Sequence, residues 1–439
     1  MKKLALSFVI YHLSFSGAAA QSWTLPQCIS YALEHNISVK QVENQVRQQE
    51  VQLSTSKNQR LPDLSASAGQ NFSFGRGLTA QNTYTNTNTS STSFSVGTSV
   101  PIFTGFRIPN TIKLNQLNLQ AMTAELEKAR NDIRMQVAQA YVQILYNMEI
   151  SDVAHRQIAI DSAQVFRLQA LLDVGRASEA ELSQQKASMA QSQLTATQAD
   201  NNLQLALLAL SQLLELESPE GFSVVRPDTQ SHPEPLAIPA PETIFAEALA
   251  TKPEVRSQSL RLQAAETSIS LARAGYMPTL SFSAGMGSNY YTTSGFTADP
   301  FGTQLKNNFS QYLGLNLSIP IFDRFSTRNS IRSAKMDREN QLLQLDNTKK
   351  NLYKEIQQAY YNTVAAQQKL KSSEQAQQSA ADAFRVVTAK YEQGRATSTE
   401  FNESKNNYLR TESDLTQARY EYLYQQALIQ FYRGKDLVF

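Results

Sequence analysis

Two stretches of the chain, "DVGRASEAELSQQKA" (Asp173–Ala187) and "EQGRATSTEFNESKN" (Glu392–Asn406), contain the same pattern, Gly-Arg-Ala-Ser/Thr. Their glycines, Gly175 and Gly394, are 219 positions apart. Each pattern separates two long segments in which apolar residues recur every three or four positions, the spacing of a helical stripe. Glycine commonly ends a helix, and Ser or Thr commonly begins the next one. The two stretches therefore predict two equivalent tips, each joining a pair of long antiparallel helices.

The rest of the chain repeats in the same order. Pro62 and Pro278 lie in matching segments that are 216 positions apart. Pro101 and Pro320 lie in matching segments that are 219 positions apart. The second repeat is therefore longer between Pro278 and Pro320 than the first is between Pro62 and Pro101, in a region where an exposed loop tolerates insertion. The spacing predicts a tandem duplication of one structural unit.

Each unit is expected to run helix, β-hairpin, long helix, tip, long helix. In the first repeat, residues 21–217, we expect a helix at 25–60, a hairpin at 63–100 and long helices at 109–172 and 178–216. In the second repeat, residues 242–433, the same elements are expected at 242–275, 279–319, 328–391 and 397–432. Residues 218–241 hold six of the 14 prolines, which predicts an irregular linker, and residues 434–439 form a tail.

The predicted hairpins alternate between apolar and small polar residues. Leu313, Leu315 and Leu317, for example, are separated by Gly314 and Asn316. A period of two over about ten residues, with one apolar face, is typical of strands in a membrane β-barrel. A proline stops a helix and fixes the backbone turn. The expected junctions between barrel strands and helices carry Pro62, Pro101, Pro278 and Pro320.

The first 20 residues predict a secretory signal peptide, because a charged start is followed by an apolar run and three alanines before Gln21. We therefore expect the chain to be exported after cleavage behind Ala20. The only cysteine, Cys28, excludes an intrachain disulfide. After Gln21, no segment reaches the roughly 18 apolar residues that a membrane-spanning helix needs.

The composition and motifs disfavour several functional classes. Lys and Arg number 40 against 38 acidic residues, so no nucleic-acid partner is predicted from bulk charge. The four histidines are isolated, which predicts no metal site. Neither a phosphate-binding loop nor a nucleophile elbow is present, so we expect neither a cofactor nor an enzyme.

Four strands cannot close a barrel, and open strand edges in lipid would leave unpaired backbone groups at a cost of several kcal/mol each. The chain is therefore expected to oligomerise. Two chains would give eight strands, whose interior is filled by side chains, whereas three would give twelve and begin to leave a pore. The long helices favour the trimer, because twelve strands would continue into twelve packed helices.

The residues together resemble the TolC-like outer-membrane efflux proteins. The resemblance rests on the opening "LPQCISYALEHN" (Leu25–Asn36), the proline-flanked hairpins, the tip glycines and the proline-rich middle, and it covers nearly all of the chain after residue 20. It implies an α+β membrane protein: a homotrimer with a 12-stranded β-barrel in outer-membrane lipid, continued by a long α-helical coiled-coil barrel across the periplasm. It also implies a passive exit duct that docks onto a periplasmic adaptor and an inner-membrane pump of the RND or ABC type.

The acidic tip residues allow two interpretations. Ser178 and Glu181 in the first tip, like Thr397 and Glu400 in the second, have the spacing of a capping box at the start of a helix. The resemblance instead implies that acids six and nine positions after Gly394 line the closed entrance, which gives Glu400 and Glu403. In a trimer each would form a ring of three carboxylates that attracts cations. For Glu403 a plain solvated acid is the alternative.

The remaining tip residues are assigned by the resemblance. Tyr391 would be a constriction tyrosine, with simple packing in the coil as the alternative. The family's gate arginine falls on Ala396, which is a departure from the family pattern. The candidates for adaptor contact are Gly175, Arg176, Ser178, Gly394, Arg395 and Thr397. For the two arginines, the alternative is a cation that favours the C-terminal helix dipole.

Two other functions are compatible with parts of the sequence. One is a secreted structural coiled-coil protein that never enters a membrane, which the four alternating segments disfavour. The other is a diffusion porin, which the large helical fraction disfavours. The exit duct accounts for both features at once.

Overall fold

The computed structural model describes residues 21–78, 82–226 and 238–437. The expected signal peptide at 1–20 lies outside these residues, as do parts of the linker and residues 79–81 of the first predicted hairpin. The chain divides into two compact units. The tip unit comprises Met1–Val42, Glu127–Lys252 and Lys349–Phe439, and the sheet unit comprises Glu43–Leu126 and Pro253–Thr348.

The elements follow one another in two similar series. The first series is β1 (Gln21–Trp23), α1 (Leu25–His35), α2 (Ile37–Asn58), β2 (Asp63–Leu78), β3 (Tyr84–Phe103), α3 (Arg107–Asp173) and α4 (Glu179–Leu213). The second series is β4 (Phe222–Val224), α5 (Pro241–Thr251), α6 (Pro253–Arg273), β5 (Thr279–Thr293), α7 (Phe301–Asn307), β6 (Ser310–Ser318), α8 (Ser326–Glu392) and α9 (Ser398–Tyr432). A 3-10 turn at Ala274–Tyr276 follows α6.

The two series match residue for residue in their long helices. Both α3 and α8 have 67 residues, and both α4 and α9 have 35. All four bounds are offset by the same 219 positions as the tip glycines. Beyond α4 and α9, the equivalent residues Glu215 and Gly434 both adopt positive φ, at 57° and 85°. The offset therefore relates equivalent positions throughout the four long helices.

The core of the tip unit is built from helix stripes. Along α3 the buried positions Val137, Tyr141 and Ile144 recur every three or four residues and lie on one face. α3 packs on α4 through Ala154, Ala196 and Ala199, whose small side chains let the helices approach closely. α8 packs on α9 through a second cluster, formed by Ala366, Leu370, Ala418 and Tyr422.

The long helix expected near the start of each repeat is broken in two. The helix expected at 25–60 is α1 and α2, separated at Asn36, and the one expected at 242–275 is α5 and α6, separated at Lys252. Proline at 253 disfavours helical backbone at the residue before it. At the first break, Asn36 instead accepts a hydrogen bond from Ser38 N at 2.9 Å, which begins α2.

The linker and the second hairpin also differ from expectation. Part of the expected irregular linker is β4, which pairs in parallel with β1. Tyr141 donates a hydrogen bond to the carbonyl of Val225, just after β4, at 2.6 Å. The second hairpin is interrupted by α7, whose Phe301 lies 5.1 Å from Tyr290 between ring centroids. Aromatic packing onto the sheet thus orders part of the connection between β5 and β6.

The sheet unit contains one antiparallel sheet of order β2-β3-β5-β6. β2 pairs with β3 from Asp63↔Ser99 to Leu78↔Tyr84, and β5 pairs with β6 from Thr279↔Ser318 to Gly287↔Ser310. The central pairing of β3 with β5 shifts register between Pro101 and Phe103. β2 and β6 are the edge strands, and neither has a second partner in this sheet.

The two faces of the sheet differ in chemistry. One face is apolar and exposed: Leu64 is 78% exposed, Leu313 79% and Leu315 70%. The opposite face carries mostly serine, glycine, threonine and asparagine, as in the hydrogen-bonded pair Ser67 and Ser95, together with Tyr291 and Tyr312. A sheet in a soluble protein normally buries its apolar face. The exposed apolar face of this sheet is therefore suited to contact with something other than water.

Candidate functional site

The two tips of the tip unit end their incoming helices in the same way. Gly175 and Gly394 have φ of 70° and 71°, a conformation that disfavours a side chain. Arg176 N donates to Leu171 O and Arg395 N donates to Lys390 O, each at 2.8 Å. These bonds reach five residues back and satisfy carbonyls that the helix leaves unpaired.

The outgoing helices both begin with a complete capping box. Ser178 N donates to Glu181 at 3.0 Å, and Thr397 N donates to Glu400 at 2.7 Å. In return each glutamate N–H donates to the hydroxyl of its partner, at 3.2 Å in both tips. The backbone N–H bonds hold the pKa of both carboxyl groups below the ordinary glutamate value. Glu400 is therefore held at the helix start, as in the capping interpretation.

Glu403 occupies a different environment, although it lies only one turn further along α9. It is exposed and lines a polar cavity of about 1200 Å³. The cavity is also lined by Glu400, Arg410 and Gln184, the first-repeat counterpart of Glu403. The structure thus brings the two acidic gate candidates, Glu400 and Glu403, to one concave polar surface, which does not include Tyr391.

Tyr391 packs inside its own chain. Its ring stacks on Phe401 at 4.8 Å between centroids, and the guanidinium of Arg167 lies 5.2 Å from the ring. Burial raises the pKa of the Tyr391 hydroxyl, and the nearby Arg167 opposes this rise. Arg167 also donates to the carbonyl of Glu392 at 3.1 Å, at the end of α8. Tyr391 therefore fixes the second tip to α3.

A buried ion pair between α3 and α9 was missed from the sequence. Asp161 and Lys405 contact each other directly, and both side chains are fully buried. Gln185 donates to Asp161 at 3.0 Å and Ser192 donates to it at 2.6 Å. Asn402 donates to Gln185 at 3.2 Å and completes what we call the Asp161 network. These bonds compensate for the removal of two charges from water.

The sequence does hold a signal for this network. Lys405 lies four residues from both Phe401 and Leu409, so it interrupts an apolar stripe of α9. Asp161 lies seven residues from both Ala154 and Leu168, in a stripe of α3. A charge inside a buried stripe predicts a buried partner. What the stripe cannot identify is which of several distant charges that partner is.

The four prolines predicted at strand–helix junctions all belong to the sheet unit. Pro62, Pro278 and Pro320 lie between a strand and a helix, outside both. Pro101 is an exception, since it lies inside β3, which continues to Phe103. It sits beside the register shift, where a missing N–H is tolerated.

In the described part of the chain, no helix has the length and apolarity needed to cross a membrane. Within the same residues, no three His, Cys, Asp or Glu side chains group as metal ligands would.

A family model described as "Outer membrane efflux protein" matches residues 28–215 and 244–434. The chain belongs to this family. The two matched segments correspond to the two repeats, and the predicted TolC-like resemblance is confirmed. The family consists of outer-membrane efflux channels and not of enzymes.

The relatives and solved structures that the chain resembles are distant from it in sequence. Outer membrane efflux protein BepC of Brucella suis biovar 1 (strain 1330) is 22% identical over 411 residues, which span 92% of this chain and 84% of BepC. A membrane protein from Pseudomonas aeruginosa has a similar fold, with a TM-score of 0.78 at 17% identity over 93% of this chain and 92% of its own. The Campylobacter jejuni CmeC outer membrane channel gives a TM-score of 0.77 at 19% identity, over 94% and 87%.

Proposed function

We propose that the chain is the outer-membrane exit duct of a tripartite efflux or secretion system. The observation that carries this proposal is the sheet of the sheet unit, which exposes an apolar face and ends in two unpaired edge strands, β2 and β6. In lipid the apolar face would be covered by acyl chains, but the edges would leave unpaired backbone groups. Pairing β6 of one copy with β2 of the next removes both edges.

Three copies joined in this way form a homotrimer with a 12-stranded barrel. The apolar face, with Leu64 and Leu313, points to lipid, and the face of serine and glycine residues points to the lumen. Twelve strands leave a lumen wider than an eight-stranded barrel, which side chains fill. The long helices α3, α4, α8 and α9 of each copy form the coiled-coil barrel on the periplasmic side.

The tips form the entrance of this duct. Glu403, exposed and free of any capping role in the described contacts, is the better gate residue, whereas Glu400 is held by Thr397. Three copies of Glu403 would make an acidic ring that attracts cations and whose members repel one another. The exposed tips with Arg176 and Arg395 are the docking surface for a periplasmic adaptor, which connects the duct to an inner-membrane pump.

Electrical recording from the purified protein tests the proposal. The protein, extracted in mild detergent and reconstituted in a planar lipid bilayer, is expected to give small, cation-selective single-channel currents. A soluble protein without conductance would indicate a secreted coiled-coil protein. A large, permanently open and weakly selective current would indicate a diffusion porin.

A further inference from the structure

The chain enters α3 and α8 through the same strained turn. Before α3, Gly105 and Phe106 have φ of 61° and 64°, and before α8 their counterparts Arg324 and Phe325 have φ of 57° and 64°. Glycine adopts this left-handed conformation without strain, whereas an arginine does not. Backbone strain of this kind is concentrated at functional sites, so Arg324 is a candidate for a role that glycine could not fill.

Within one chain, the turn before α3 packs tightly on the turn before β5. A Cβ on Gly105 would lie 2.5 Å from the Cβ of Met277 and 3.0 Å from the carbonyl oxygen of Ala274. The strands that adjoin these two turns, β3 and β5, are neighbours in the sheet. The contact therefore joins the first repeat to the second, and it has no room for a side chain at position 105.

The internal repeat predicts an equivalent contact between chains. The counterparts of β3 and β5 are the edge strands β6 and β2, which pair between copies in the proposed trimer. Arg324 of one chain would then meet residues 58–61 of the next, the counterpart of 274–277. In the single chain Gly105 is buried, whereas Arg324 is exposed. Because Arg324 carries a side chain where Gly105 has no room for one, this chain boundary must be wider than the contact within the chain.

The chain boundary brings together four cations. Lys57 and Arg60 belong to the turn before β2, and Arg324 and Arg328 belong to the turn before α8 and its first residues. All four are exposed, and none forms an ion pair within the described part of the single chain. Their counterparts at the contact within the chain include one cation: Arg273, Tyr276, Gly105 and Pro109. The junction can therefore form without these charges.

Two acidic residues lie beside the four cations in the sequence. The carboxyl group of Asp63 accepts a hydrogen bond from Ser99 N, and that of Asp323 accepts one from Thr327 N at 2.7 Å. Both acids are thus held by the backbone of their own chain. Four cations against two acids leave a positive charge at the chain boundary, which favours an anion there.

An exposed apolar row leads up to this charge. It continues the apolar face of β6 beyond Leu317 with Ile319 (60% exposed), Ile321 (95%) and Phe322 (71%). In the proposed duct, this end of the sheet faces the periplasm. The row would therefore run from the acyl chains to the headgroups of the inner leaflet, and Arg324 follows at the level of the headgroups. An apolar row that ends in cations matches a ligand with acyl chains and an anionic headgroup.

We infer that each chain boundary binds an anionic phospholipid of the inner leaflet of the outer membrane. Arg324 and Arg328 of one chain donate to its phosphate group. Lys57 and Arg60 of the next chain donate to the headgroup from the other side, and the acyl chains lie along Ile321. This inference rests on the proposed duct, because the site is complete only when two copies of the chain meet.

Native mass spectrometry of the protein in mild detergent tests the inference. Dioleoylphosphatidylglycerol, which is anionic, and dioleoylphosphatidylcholine, which is zwitterionic, are added separately. Arg324→Gly gives the second repeat the residue of the first and relieves the backbone. Lys57→Gln with Arg60→Gln removes the cations on the other side of the boundary. Arg273→Gln is the control, because it removes the counterpart of Lys57 at the contact within the chain.

We expect the trimer to retain one phosphatidylglycerol per chain boundary in preference to phosphatidylcholine. Retention should fall several-fold in both boundary variants and stay unchanged in the control; if one variant does not assemble, the other decides. Equal retention of the two lipids, unchanged retention in a boundary variant, or an equal loss in the control would overturn the inference. So would displacement of the lipid by inorganic phosphate alone, which would indicate a site for a free anion. An unvaried protein that is a single chain would instead refute the proposed duct.

Discussion

Asn36 and Lys252 occupy equivalent places in the two repeats, and each donates a hydrogen bond to the carbonyl end of a long helix. Asn36 Nδ2 lies 3.1 Å from Leu213 O, at the end of α4. Lys252 Nζ lies 3.0 Å from Phe431 O, at the end of α9. Both donors are buried, at 5% and 6% exposure. A helix leaves its last carbonyls unpaired, so each donor stabilises a helix end that water does not reach.

Replacing Lys252 by methionine should destabilise the tip unit. The substitution keeps most of the side-chain volume but removes a charged donor, and we expect a loss of about 1–3 kcal/mol in unfolding free energy. Thermal unfolding followed by circular dichroism measures it. Lys371→Met, at an exposed position of α8, is the control and should change the midpoint little. Equal shifts in the two variants would contradict this role of Lys252.

The Asp161 network should behave as a coupled unit. Asp161→Leu and Lys405→Met should each cost about 3–5 kcal/mol, because each leaves the partner charge buried and unpaired. Combining Asp161→Leu with Lys405→Met removes both charges and should recover most of that loss. Denaturant unfolding of the four proteins gives the coupling energy. Additive losses would show that the two charges do not interact.

The second tip should loosen in acid. Backbone N–H donation by Thr397 lowers the pKa of Glu400 in the folded state below its ordinary value of 4.5. Its stabilisation is therefore complete above pH 4.5 and is lost as the pH falls through the lowered folded value. Hydrogen-exchange protection factors for the first turn of α9 should decrease over this range. Glu400→Gln should remove this decrease, whereas Glu403→Gln should leave it in place.

The acidic entrance should set ion preference. Glu403→Gln in the reconstituted channel should shift the reversal potential under a KCl gradient toward zero, since it removes one carboxylate per chain from the entrance. Gln184→Glu adds an acid at the repeat-equivalent position on the same cavity and should shift it the opposite way. If both variants left the reversal potential unchanged, the entrance would not be lined by these residues.

Tyr312 lies against Gly285 and near Gly97 on the small-residue face of the sheet. A Cβ on Gly285 would lie 2.6 Å from the Tyr312 ring, whereas one on Gly97 would lie 3.7 Å from its hydroxyl. Gly285→Ala should therefore push the ring off the sheet into the lumen and lower the conductance, and Gly97→Ala should not. Adding Tyr312→Ser to Gly285→Ala should restore the current. A normal current in Gly285→Ala would contradict the assignment of this face to the lumen.

The internal repeat was the most informative feature of the sequence, because it is found by comparing short segments of the chain with one another. The prolines before each long helix and the glycine after it gave predicted bounds for α3 and α8 that lie within two residues of the observed ends. The breaks at Asn36 and Lys252 were not predicted, although Pro253 and Asn36 are local signals for them. The bonds of the two side chains lie beyond any local pattern, since each donates to a carbonyl that is 177 or 179 residues away. Asp161 and Lys405 are 244 residues apart, so only the packing of α3 against α9 brings them together.

The native mass of the protein extracted from the outer membrane in mild detergent tests the central claim most directly. The two open edges of the sheet, β2 and β6, need partners, and the account predicts a particle of three chains that separates only on denaturation. A folded particle of a single chain would contradict the account, because a four-stranded sheet with open edges cannot form the wall of a duct.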